Sequence, residues 1–158
     1  MKRNLFFLFI ACICGSVALG QSSQLGIGEY PIDTSGTFKP CGVPPFAHYH
    51  FLPYKGDVRA IHQVVKQQYV AIKTDQSGYI TIRGFVNCKN QMKIIKTLCV
   101  DMNYQPCLFD VTITNQLEQI TQQLPDWQVH TYDNGMIAEG YVSVIYKIKK
   151  GGVEHVIW

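Results

Sequence analysis

Residues 77–101, SGYITIRGFVNCKNQMKIIKTLCVD, decide the fold. In the first half Ile80, Ile82, Val86 and Cys88 fall on one side of an alternating pattern. Tyr79, Thr81, Arg83, Phe85 and Asn87 fall on the other. Successive side chains of a strand point to opposite faces, so this is a strand with one face turned to a core. Lys89-Asn90-Gln91-Met92 is a polar break, and Lys93–Asp101 returns as a second strand. The stretch is therefore an antiparallel hairpin.

On both sides of the hairpin the period changes from two to three and four. Upstream, Val58, Ile61, Val65, Tyr69 and Ile72 make one apolar face of a helix, with Asp57 as its N-cap. Downstream, Phe109, Ile113, Leu117, Ile120 and Leu124 make a second helical stripe, which Asp110 caps and Pro125 stops. Beyond Trp127 and the turn Asp133-Asn134-Gly135, residues 139–149 (EGYVSVIYKIK) alternate again. Gly151-Gly152 then turns the chain into a last short strand, VEHVIW. The order helix, hairpin, helix, strand, strand predicts a small α+β domain over residues 58–158. An antiparallel sheet carries two helices on one face.

The preceding segment is of another kind. Residues 21–57 are rich in Gly, Pro, Ser and Thr and read as a leader. Its prolines exclude a helix or a central strand, while Phe46, Tyr49, Phe51 and Tyr54 suit packing against the domain. Residues 1–20 hold Lys2 and Arg3, an apolar run, and small Ala18 and Gly20 before Gln21. That is the pattern of a signal peptide, and the run is short for a bilayer span. Export to the periplasm is the expectation. The alternatives are lipoprotein processing at Cys12 and an uncleaved inner-membrane anchor.

Export bears on the cysteines. Cys41, Cys88, Cys99 and Cys107 remain in the mature chain, an even number in an oxidising compartment. With the turn at residues 89–92, Cys88 faces Lys93 and Cys99 faces Ile82. Cys88 and Cys99 are then about 20 Å apart along the ladder, too far for a disulfide. The register predicts Cys41–Cys88 and Cys99–Cys107.

Catalytic and metal chemistry find little footing. Nucleophile-elbow, zinc-protease and phosphate-loop motifs are absent from the sequence. Asp101, Asp110, Asp126 and Glu139 are scattered acids suited to caps and turns. Cys41 with His48 and His50 lacks a fourth ligand, and an oxidised cysteine cannot ligate. The expectation is a non-enzyme without cofactor or metal. A net charge of +3, with Lys and Arg spread along the chain, gives no stripe for nucleic acid. Trp127 is expected in the core.

Three stretches carry a family resemblance: SGYITIRGFVNCKNQ, LEQITQQLPDW and DNGMIAEGYVSVIYKIK. Together with the element order they resemble the C-terminal domain of TonB, and more closely the small exported TonB-like proteins of Bacteroidetes type. The likeness implies a protein-binding module of the cell envelope, a monomer or weak homodimer, that pairs a sheet edge with an outer-membrane TonB-dependent transporter. The corresponding edge is the strand Tyr141–Lys149, with Tyr141, Ser143, Ile145, Lys147 and Lys149 as contact residues and Trp158 as an added anchor. If VEHVIW covers that strand, the open edge is the last strand instead.

Overall fold

The structure, a computed structural model, describes residues 38, 39, 41, 52–131, 133, 135 and 137–158. The signal peptide, the leader up to residue 37, Cys12, His48 and His50 lie outside the described residues. Among the described residues two helices and six strands follow in order. They are α1 (Asp57–Gln68), β1 (Gly78–Val86), β2 (Met92–Asp101), α2 (Val111–Gln122), β3 (His130–Thr131), β4 (Ile137–Ala138), β5 (Gly140–Lys149) and β6 (Gly152–Ile157). Four of the strands form an antiparallel sheet in the order β2-β1-β5-β6. The short β3 and β4 pair separately around the turn at residues 133–135. The α+β architecture expected from the sequence is present.

One face of the sheet makes the core. Ile80, Ile82 and Val86 of β1 meet Val142, Val144, Tyr146 and Ile148 of β5. Ile61 and Val65 of α1 and Ile113, Leu117 and Ile120 of α2 pack over them. Burying each such aliphatic side chain contributes about 1.5–3 kcal/mol. The last residues assigned to the leader belong to this core. Leu52 and Tyr54 are buried, and Tyr54 packs edge-on against Trp127 with ring centres 5.0 Å apart. Trp127 is a core residue, as expected.

The helix ends show which local signals hold. The Asp110 carboxylate accepts the Thr112 N–H at 2.8 Å, the expected cap of α2, and this bond holds its carboxyl below the usual range. Asp57 likewise accepts the Arg59 N–H at 2.7 Å, although it lies inside α1 with φ of 61°. The first helix ends at Gln68, sooner than its periodicity predicts. Tertiary partners draw the chain away: the Tyr69 hydroxyl and the Ile72 N–H both donate to the Gly151 carbonyl. Gln116 of α2 meanwhile bonds the N–H and the carbonyl of Val70.

The hairpin register departs from expectation. Its turn runs from Asn87 to Gln91, and Val86 faces Met92. Asn87 builds this turn. Its Oδ1 accepts the N–H groups of Lys89 and Gln91, and its Nδ2 donates to Lys39 and Gln91 oxygens. A bulge between Arg83 and Gly84 adds a second shift, so Cys99 faces Ile80 rather than Ile82. Cys88 lies in the turn and has no strand partner.

The β5–β6 turn is also displaced by one residue. Lys149 pairs with Gly152, which leaves Lys150 and Gly151 as the two loop residues, with φ of 49° and 75°. Two positive φ values match the type I′ twist that joins neighbouring strands.

Candidate partner-binding face

β5 is not an edge. It lies between β1 and β6, and its outer side is closed along Ile145–Lys149 by β6. At its start the Leu52 N–H donates to the Tyr141 carbonyl at 3.3 Å. Of the two edges read from the sequence, the sheet order fits the second: Lys150-Gly151 folds the C-terminus back onto Ile145–Lys149, and VEHVIW is the outer strand. Among the described residues the outer strands of the sheet are β2 and β6.

The structure nevertheless groups the expected contact residues. Buried and partly exposed positions alternate along β5, so Tyr141, Ser143, Ile145, Lys147 and Lys149 share the face that points away from the helices. Tyr79, Thr81, Arg83 and Phe85 of β1 join them by register. Lys93, Lys96, Leu98 and Val100 of β2 complete the same rows. At one end of this face Phe85 packs edge-on against both Phe38 and Tyr141. At the other end Tyr79 stacks on Tyr104, with ring centres 5.4 Å apart and planes 9° from parallel. A hydrogen bond between these two phenols raises the Tyr79 pKa above its ordinary value.

Beside that pair, Lys147 meets Glu154 at 2.7 Å and Lys149 meets it at 3.3 Å. Hydrogen bonds from the two ammonium groups hold the Glu154 carboxyl below its usual range, and the same contact raises Lys147. The face ends at β6, whose last residue Ile157 is 46% exposed, and at Trp158, which is 41% exposed.

The cysteines divide into two kinds. Cys41 and Cys88 form a disulfide with Cα atoms 5.8 Å apart, as the sequence predicts. Buried Glu139 secures it, accepting the backbone N–H of Cys41 at 2.5 Å and of Cys88 at 3.1 Å. Sequence reasoning placed Glu139 among solvated acids and Asn87 on a strand; both instead organise this junction. The signal for Asn87 was an Asn ending an alternating run just before a polar turn. Cys41, Cys88 and Glu139 are also the group of potential metal ligands that gathers among the described residues. The two sulfurs are bonded to each other and the carboxylate is taken up by amides.

Cys99 and Cys107 are thiols, so the expected second disulfide is not formed. Their backbones are adjacent, since the Cys107 N–H donates to the Cys99 carbonyl at 3.2 Å and Val100 pairs with Pro106. Burial raises the pKa of both thiols, which keeps them protonated and weakly nucleophilic.

Among the described residues, no helix is long and apolar enough to cross a membrane. No protein family, curated protein or solved structure matches this chain.

Proposed function

We propose that this chain is an exported, non-catalytic protein-binding module of the periplasm, TonB C-terminal-like in kind. It takes an extended segment of an envelope or outer-membrane transporter partner as a further strand on β6. The supporting observation is the position of β6, which ends the sheet order, bonds to β5 alone among the described residues, and leads into exposed Ile157 and Trp158. Strand addition draws affinity from main-chain hydrogen bonds and choice from alternating side chains. An exposed Trp beside such an edge suits an anchoring role.

The test is photocrosslinking in intact cell envelope, with the reactive residue at position 157 in one variant and at 122 in another. Gln122 is exposed at the end of α2, beside Met92 and Lys93 of β2, at the opposite end of the sheet order from β6. Recovery of an outer-membrane transporter from position 157 alone, with a mature N-terminus at Gln21, supports the proposal. Equal capture from both positions, or from neither, refutes it and favours an accessory role in the envelope. An intact Met1 would point to an inner-membrane anchor.

A further inference from the structure

The face away from the helices has a charge pattern that the edge strand does not explain. Three residues line up across it in register: Lys96 of β2 faces Arg83 of β1, which faces Ser143 of β5. Arg83 and Lys96 are both exposed, and neither has an ion-pair partner among the described residues. Like charges placed directly opposite each other on neighbouring strands oppose the fold. The acid that does lie on this face, Glu154, is committed to Lys147 and Lys149 at the far end. The next row is apolar apart from one hydroxyl: Leu98, Thr81, Ile145 and Ile157 are aligned across all four strands. A cationic row thus runs beside an apolar one on this face of the sheet.

We propose that this face docks an acidic, leucine-rich type of protein segment, with carboxylates held by Arg83 and Lys96 and apolar side chains laid along Leu98, Ile145 and Ile157. An Arg guanidinium presents two parallel N–H groups to a carboxylate, and the neighbouring ammonium adds a second positive charge. The Ser143 hydroxyl supplies a further donor in the same row. The assignment rests on the reading of the chain as a protein-binding module. It names the chemistry of the partner and moves the main contact from the strand edge to the sheet face.

The experiment uses the mature chain, residues 21–158, and a fluorescent peptide that alternates glutamate and leucine. The expected result is binding that weakens as salt rises and falls about tenfold in the R83Q/K96Q double variant. A Lys66→Gln variant, changed on the exposed side of α1, keeps wild-type affinity. Lys96→Gln alone gives a smaller loss in the same direction, and circular dichroism confirms that each variant is folded. Equal affinity for a glutamine–leucine peptide would overturn the proposal. So would binding of a sulfated polysaccharide without binding of the glutamate peptide, which would make the face a site for glycans. Semisynthetic protein with an N-methyl amide at Val156 separates the two readings, because it keeps the buried Val156 side chain and blocks main-chain pairing on β6. Loss of peptide binding in R83Q/K96Q but not in the N-methyl protein supports the face, whereas loss only in the N-methyl protein refutes it and leaves the edge.

Discussion

Replacing Tyr146 by Phe should give two stability curves that cross as pH rises. Tyr146 is fully buried in β5, and its hydroxyl lies 2.7 Å from the Thr121 hydroxyl. Thr121 itself donates to the Leu117 carbonyl at 2.5 Å, so the tyrosine is the donor of the pair. Phe keeps the ring and loses this bond, which costs about 1 kcal/mol at neutral pH. Burial pushes the Tyr146 pKa far above its ordinary value, further than the Thr121 bond lowers it. A folded-state pKa raised above the unfolded value gives stability that is complete below about pH 10 and is lost as pH rises further. Over that range the unfolded chain releases a proton that the folded chain retains, and wild type loses about 1.4 kcal/mol per pH unit relative to the variant. The initial advantage of about 1 kcal/mol is then spent about 0.7 unit above pH 10. Urea unfolding of both proteins at a series of pH values from neutral to 11 or so measures the crossing. Parallel curves through the alkaline range would show that the phenol ionises in the folded state, and would refute the account of its burial.

Reducing Cys41–Cys88 releases a loop closed over a sequence separation of 47. The chain-entropy cost is about 4 kcal/mol, or about 2 M in the urea midpoint, and unchanged unfolding after reduction would contradict it. Gly151 has φ of 75°, and a Cβ there would stand 1.8 Å from the Ile72 carbonyl oxygen, whereas Gly135 has φ of 79° and open space. Thermal melts should show Gly135→Ala costing about 1–2 kcal/mol, the left-handed penalty alone, and Gly151→Ala costing clearly more. Carboxyl NMR should find Glu154 titrating below its ordinary value in wild type and moving upward in Lys147→Met, since that ammonium group lowers it. Whatever stability this contact gives is present above the ordinary carboxyl pKa and fades as pH falls through the lowered one.

Local signals made the elements legible. The alternation of β1 and β5 gave the core face residue by residue, because a half-buried strand has no other period. Asp110 and Pro125 bracketed α2 because a cap and a missing N–H act within one turn. The errors arose where a side chain or a distant backbone group set the geometry. The hairpin register turned on the four hydrogen bonds of Asn87 and on a bulge that shifts the pairing by one residue. The end of α1 turned on the Gly151 carbonyl, more than eighty positions away. The contact residues of β5 were grouped correctly as one face, since parity fixes a face. Whether they sat on an edge stayed open between two alternatives, since sheet order depends on a turn between β5 and β6. Arg83 and Lys96 were each visible in the sequence, but their opposition required the bulged register.

The ladder between β5 and β6 also determines how the molecule bears load. A pull at Trp158, directed away from the sheet, acts first on the Ile157–Ile145 pair and then on each pair toward Gly152. Such a strand is peeled open one link at a time and yields at low force. A pull on Cys41 enters instead through a covalent bond at the β1–β2 turn, beside buried Val86 and Met92. The two ends of the domain are therefore mechanically unequal. Tension from the leader side is carried into the core, while tension at the C-terminus detaches β6 and uncovers Ile145–Lys149, the backbone that β6 otherwise occupies.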